Sequence, residues 1–260
     1  MSTSSSLKGF DKLSSHLPIL KKRLGLVRLL LVPALLAFLI YNFFAIEDAT
    51  WQLWLLDGEV VLGTLGYAIL SLFFRLKNDL KDKYGSKAFE LAFTRIALPG
   101  LVIVFSVAAR VGYIPGPLIP RFAGYAALPI LGGLLILIGV TLWIRAVDTF
   151  GVDYLTMLYV YYPREGQVVD HAIYGVIRHP VYAAGLWIVF GLALLNGTWF
   201  GPALAVFFLL GVWGWLRLVE EKELIERFGP SYAEYRKRVP AFWPRLQKMP
   251  DFFRFLFTGR

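Results

Sequence analysis

The chain has no cysteine and only three histidines, His16, His171 and His179, in 260 residues. The first absence excludes disulfides, thiolate metal sites, cysteine nucleophiles and S-acyl anchors. The histidines are too few and too scattered for a histidine-rich metal site, and no metal centre is expected. Charge is also scarce, at 17% of residues, where a soluble domain carries about 25%. What is abundant is apolar: 57% of residues are hydrophobic and the mean hydropathy is +0.60. A water-soluble single-core globule and a disordered chain are both excluded on these grounds. The composition is that of a polytopic membrane protein, all-α because helices satisfy their own backbone hydrogen bonds in lipid.

A spanning helix needs about 20 mostly apolar residues, within a range of about 17–25. The first uncharged run, 29–46, lies between Arg28 and Glu47. It exceeds a signal-peptide core of about 7–15 residues and is expected to be a retained helix. Further spans are expected at 54–74, at 91–111 with Arg95 and Arg110 snorkelling from its ends, and at 122–144. The proline-rich stretch 114–120 cannot continue a helix. Residues 180–216 carry no charge for 37 residues, and the Asn-Gly and Gly-Pro signals within 196–202 divide them into a helical hairpin with short arms. Six spans result. Of the 27 Lys and Arg residues, 25 then fall on one side, with only Arg110 and Arg121 opposite. This asymmetry predicts cytoplasmic termini. It also explains the net charge of +9 without a nucleic-acid partner.

The expected organisation is a basic N-terminal segment (1–25), a four-helix membrane region (26–150), a chemistry-bearing region with the hairpin (151–245) and an interfacial C-terminal tail (246–260). The first segment reads equally as a surface-lying amphipathic helix or a loose basic tail. In the tail, Phe242, Trp243, Phe252, Phe253, Phe255 and Phe257 alternate with Arg245, Lys248 and Arg254. That pattern suits a segment lying along the inner leaflet.

Reactive side chains gather in two stretches, 161–182 and 217–244, which flank the hairpin and return to one membrane face. In the first, Pro180 suits the opening turn of a helix. Arg178 and His179 then sit at that helix's N-terminus, which favours an anion. An interfacial belt of Arg, His and Tyr is the plainer alternative. In the second, Arg217 lies three residues before Glu220 and four before Glu221, spacings that allow a pair on one helix face. Carboxylates at membrane depth imply a functional role for Glu220 and Glu221. Glu223, Glu226 and Arg227 read as a solvated charged face.

Tyr174, Arg178-His179-Pro180, Tyr182, Glu220-Glu221, Phe228-Gly229, Tyr232, Tyr235 and Val239-Pro240 form an ordered set around the hairpin. In that order they resemble the isoprenylcysteine carboxyl methyltransferase and phospholipid methyltransferase superfamily. The resemblance covers about residues 160–245. It implies an integral membrane methyltransferase that uses S-adenosylmethionine at the cytoplasmic face. It places Gly166, Gln167, Val168, Val169, Tyr174, His179, Pro180, Val181 and Tyr182 along the cofactor, with Glu220 at its amino-acid end. Arg178 beside the helix N-terminus suits the cofactor's carboxylate. Arg217 is expected to meet the acceptor's polar head, and Glu221 or a tyrosine to take a proton from an amine acceptor. The chain departs from the family in having Ala172 where glycine is frequent. The expected acceptor is lipophilic and arrives from the inner leaflet, between Trp213, Trp215 and the aromatic tail. Alternatives are an N-methyltransferase of phospholipid amines, an NADPH-dependent reductase of the sterol type, and a non-enzymatic scaffold; membrane lipids are the expected surroundings in every case.

Overall fold

The computed structural model describes residues 7–50 and 56–259. The architecture is all-α, and among the described residues no strand occurs; one isolated antiparallel bridge joins Leu118 to Thr198. Helices α1 (Phe10–His16), α2 (Arg23–Thr50), α3 (Asp57–Arg75), α4 (Lys77–Tyr84), α5 (Ala88–Ala92) and α6 (Leu98–Arg110) form the first half. Then follow α7 (Ala127–Phe150), α8 (Val152–Leu155), α9 (Leu158–Tyr161), α10 (Pro180–Asn196), α11 (Phe200–Trp215), α12 (Glu221–Phe228), α13 (Pro230–Arg238) and α14 (Met249–Thr258). Five helical segments are long and apolar enough to cross a membrane, among the described residues: Arg23–Thr50, Asp57–Arg75, Lys77–Arg110, Ala127–Phe150 and Phe200–Phe228. The shorter apolar helix α10 makes the sixth arm.

Each expected span has its helix, with shifted ends. The start of the second, at 54–55, lies outside the described residues. The fourth is Ala127–Phe150 rather than 122–144, because Gly124 turns the chain at φ +93° and the helix runs on past the apolar stretch through Arg145 and Asp148. The hairpin forms as expected: α10 ends at Asn196, and Gly197 at φ +73° supplies the left-handed C-terminal turn. The Asn196 amide locks that turn by donating to the carbonyls of Val111 at 2.8 Å and Ile114 at 3.0 Å.

Two local sequence features shape the bundle. Gly132 on α7 and Gly191 on α10 let these helices touch: a Cβ on Gly191 would lie 2.6 Å from the Gly132 carbonyl oxygen. Small residues at crossings permit such approach in membranes. Pro99 cannot donate to the Arg95 carbonyl and crowds it, and the chain widens there into a π turn, Phe93–Ala97.

Arg110 does not snorkel. It is 1% exposed, and its guanidinium donates to Glu59 at 2.8 Å and forks onto Asp48. The carboxylates of α2 and α3 give this cation a partner inside the bundle, so burial replaces solvation. The N-terminal segment is helical where described: α1 buries Leu13, and Val152 donates its backbone N–H to the Lys8 carbonyl at 2.9 Å.

Candidate active site

The loop 162–179 and the helices after the hairpin are tied by backbone pairing. Arg178 N–H donates to Pro240 O at 2.9 Å and His179 N–H to Ala241 O at 3.0 Å. Pro240 has no N–H, and here only its carbonyl is needed. Tyr235 Oη donates to Tyr174 O at 2.7 Å, pinning the same loop from α13. The turn before Tyr174 requires a left-handed residue, and Ala172 stands there at φ +52°. Glycine adopts that conformation with least strain.

Enclosed by these elements is an open-mouthed cleft, about 790 Å³ counting the solvent space at its mouth. Gln167, Val168, Val169, Tyr174, Arg178, His179, Pro180, Val181, Tyr182 and Glu220 all line it. Gly166 stands behind the wall, where an added Cβ would meet the Tyr159 side chain at 3.1 Å. Further lining comes from Phe74, Phe150, Tyr154, Met157, Tyr159, Arg227, Phe228, Tyr232 and Tyr235, among others. One wall is aromatic: Phe150 stacks on Tyr174 at 4.8 Å and contacts Tyr154 at 4.4 Å between ring centroids.

A carboxylate, Glu220, also lines the cleft. Tyr182 Oη donates to Glu220, and Trp215 Nε1 donates to Tyr182 Oη at 3.1 Å and to Glu220 Oε2 at 3.2 Å. Glu220 ends a second π turn, Leu216–Glu220. Glu221, the next residue, turns the other way. Its Oε1 accepts from Arg178 Nε at 2.8 Å and lies 3.3 Å from His179 Nε2, while Oε2 lies 3.3 Å from Arg236 Nε. Glu221 is 3% exposed and outside the cleft lining.

Arg217 also lies outside the lining. It is exposed, with its guanidinium 4.6 Å from the Trp213 ring, rather than joined to Glu220 or Glu221. The π turn is the physical reason: its wider winding breaks the three- and four-residue register that a regular helix would give. A second expectation fails on α12. Glu223 is buried and pairs with Arg227 at 2.9 Å, and both line the cleft, whereas Glu226 is exposed as expected. Glu223 and Arg227 share one face by their spacing of four, which is turned inward by the apolar Leu224 and Phe228 beside them.

Three polar atoms of the cleft residues are buried without a hydrogen-bond partner among the described residues: Tyr174 Oη, Tyr232 Oη and Arg227 Nε. Such atoms are unfavourable unless a ligand or water satisfies them. Burial, reinforced by nearby Tyr235 and Glu220, holds the Tyr174 hydroxyl well above its ordinary pKa, so it remains a proton donor.

Residues 128–231 match the phospholipid methyltransferase family over the span that holds the hairpin and most of the cleft. This region belongs to that family. The chain is a membrane methyltransferase. A probable protein-S-isoprenylcysteine O-methyltransferase of Oryza sativa subsp. indica is 27% identical over 134 residues, covering 50% of this chain and 68% of the relative. The protein-S-isoprenylcysteine O-methyltransferase of Saccharomyces cerevisiae is 31% identical over 115 residues, 42% of this chain and 46% of the relative. The methanethiol S-methyltransferase of Pseudomonas deceptionensis is 30% identical over 132 residues, 46% of this chain and 45% of the relative. No solved structure matches the chain.

Proposed function

We propose that the cleft binds S-adenosylmethionine and that this methyltransferase delivers its methyl group to a lipophilic acceptor arriving from the bilayer. The observation that carries this reading is the make-up of the cleft: a carboxylate, Glu220, held by Tyr182 and Trp215 and 3.7 Å from His179, lines it together with aromatic rings and with unpartnered hydroxyl and guanidinium atoms. When bound, the cofactor supplies an electrophilic methyl group on a sulfonium. Glu220, oriented by Tyr182 and Trp215, would face its cationic groups. The α10 N-terminus and Arg227 would meet its carboxylate, and Phe150 and Tyr174 would stack on its ring system.

Glu221 is better suited to bracing than to proton transfer. Cations hold both its oxygens, and it in turn fixes Arg178 and His179 at the head of α10. A carboxylate or thiolate acceptor needs no base from the protein, and the occupied Glu221 favours such an acceptor over an amine. The enzyme then contributes positioning and electrostatics. On the membrane side, the buried Tyr67 Oη has no partner among the described residues, and its ring lies 6.2 Å from Trp215. This leaves an unpartnered hydroxyl near Trp215, the donor to the Tyr182–Glu220 pair. Arg217 and Trp213, exposed on the same helical run, would meet the acceptor's head. The positive-inside asymmetry puts this face, and both termini, on the cytoplasmic side.

Calorimetry of the purified chain tests the reading. S-adenosylmethionine should bind and NADPH should not; NADPH binding without S-adenosylmethionine binding would assign the cleft to reductase chemistry instead.

A further inference from the structure

The helix α14 carries two apolar faces, and the bundle covers only one. Phe252, Phe255 and Leu256 are buried, packing toward α7 and the Ala172–Gly175 turn. About 140° around the helix axis, by the 100° step per residue, runs a second stripe of Pro250, Phe253 and Phe257, and Leu246 precedes it in the short turn Leu246–Lys248. Spacings of three and four keep the three helical members in line. Leu246 is 85% exposed and Phe257 is 80% exposed. Trp243, just before the stripe, is also exposed.

The surroundings identify what covers this stripe. Arg254 borders it on α14 and Arg245 precedes it, both exposed. From 243 to 259 there are three cations, Arg245, Lys248 and Arg254, against one anion, Asp251, a net charge of +2. Asp251 is itself bridged to Lys248 at 2.8 Å, which leaves the arginines to dominate the flank. The far end is fastened to a membrane-crossing helix: Arg145 of α7 reaches toward the Phe257 carbonyl at 3.5 Å. An apolar stripe edged by arginine, continuous with the end of a spanning helix, fits the boundary between headgroups and acyl chains. A soluble partner protein would require no such alignment with α7.

We propose that α14 and the turn before it seat the Leu246–Phe257 stripe in the leaflet next to the cleft and take anionic phospholipid headgroups at Arg245 and Arg254. The consequence reaches the site. Phe255 shares a surface hollow with Ala172, Gly175 and Val176, the turn that presents Tyr174 to the cleft. Seating α14 therefore buttresses that turn from behind.

The chain's lack of cysteine makes a clean test possible. Phe257→Cys and, as a solvent control on the α4–α5 connection, Lys87→Cys would be spin-labelled in the full chain. Each is reconstituted in nanodiscs of phosphatidylcholine with and without phosphatidylglycerol. The label at 257 should collide with oxygen and be several-fold less accessible to a nickel chelate than the label at 87. Phosphatidylglycerol should deepen that protection, and Arg245→Gln combined with Arg254→Gln should abolish the response. Equal chelate access at 257 and 87 would overturn the seating. Protection that persists unchanged in detergent would assign the stripe to a second copy of the chain. Protection indifferent to phosphatidylglycerol would overturn the anionic headgroup contact.

Discussion

Tyr182 of α10 donates its hydroxyl hydrogen to the Glu220 carboxylate across the hairpin, and Trp215 donates to both. The pair joins the two halves of the sequence motif and orients the only carboxylate of the Glu220-Glu221 doublet that faces the cleft. A hydrogen bond to a charged group contributes about 1.5–3 kcal/mol. Tyr182→Phe should weaken S-adenosylmethionine binding by roughly 10- to 100-fold, with little change in thermal stability. Titration calorimetry on the folded variant checks this; unchanged affinity would show that Glu220 needs no such support.

The ion cluster of Arg110 with Asp48 and Glu59 ties α2, α3 and α6 far from the cleft in sequence. Removing one partner of a buried pair destabilises by about 3–5 kcal/mol, because the other charges stay buried. Arg110→Ala should lower the unfolding temperature sharply. In the fraction that remains folded, cofactor affinity should match the parent. Thermal unfolding in detergent, followed by binding on the folded fraction, separates the two readouts.

Burial raises the hydroxyl pKa of Tyr174, Tyr232 and Tyr235 above the ordinary tyrosine value. In the unfolded chain these groups lose protons from about pH 10 upward, whereas in the folded chain they keep them. The stability they contribute is therefore complete below about pH 10 and is lost as pH rises toward the folded values. Tyrosinate absorbance should show some of the 13 tyrosines ionising only with unfolding. Simple titration of every tyrosine in a chain still folded would contradict this.

Ala172 at φ +52° occupies a left-handed position that disfavours an L-residue by about 1–2 kcal/mol. Ala172→Gly should leave stability unchanged or raise it by about 1 kcal/mol, since glycine's extra freedom in the unfolded chain offsets part of the relief. Chemical unfolding measures the difference.

The apolar runs and the Asn196-Gly197 turn made the helices and the hairpin legible in the sequence, because length and turn chemistry are local properties. The cleft was legible through the family pattern, since ten of the residues expected along it, from Gln167 to Glu220, do line it. Other features depend on three-dimensional partners. The π turn at Leu216–Glu220 carries no proline to announce it, and it separates Arg217 from the carboxylates that its spacing would allow it to pair with in a regular helix. Glu223 and Arg227 read as solvent-facing because their partner is each other, a spacing of four shared by surface and buried pairs alike. Arg110 looked free to snorkel because Asp48 and Glu59 lie 62 and 51 residues away in the chain. Val239-Pro240 gave no chemical signal of its own, and its task is to accept the backbone N–H of Arg178.

The central claim is that Glu220, and not the surrounding acidic surface of α12, holds the cofactor. Calorimetric affinity for S-adenosylmethionine should fall by at least about 10-fold in Glu220→Gln, since a charged partner is lost. It should stay within error of the parent in Glu226→Gln, a substitution of an exposed residue outside the cleft. Unchanged affinity in Glu220→Gln, in a protein that still unfolds at the parent temperature, would contradict the account.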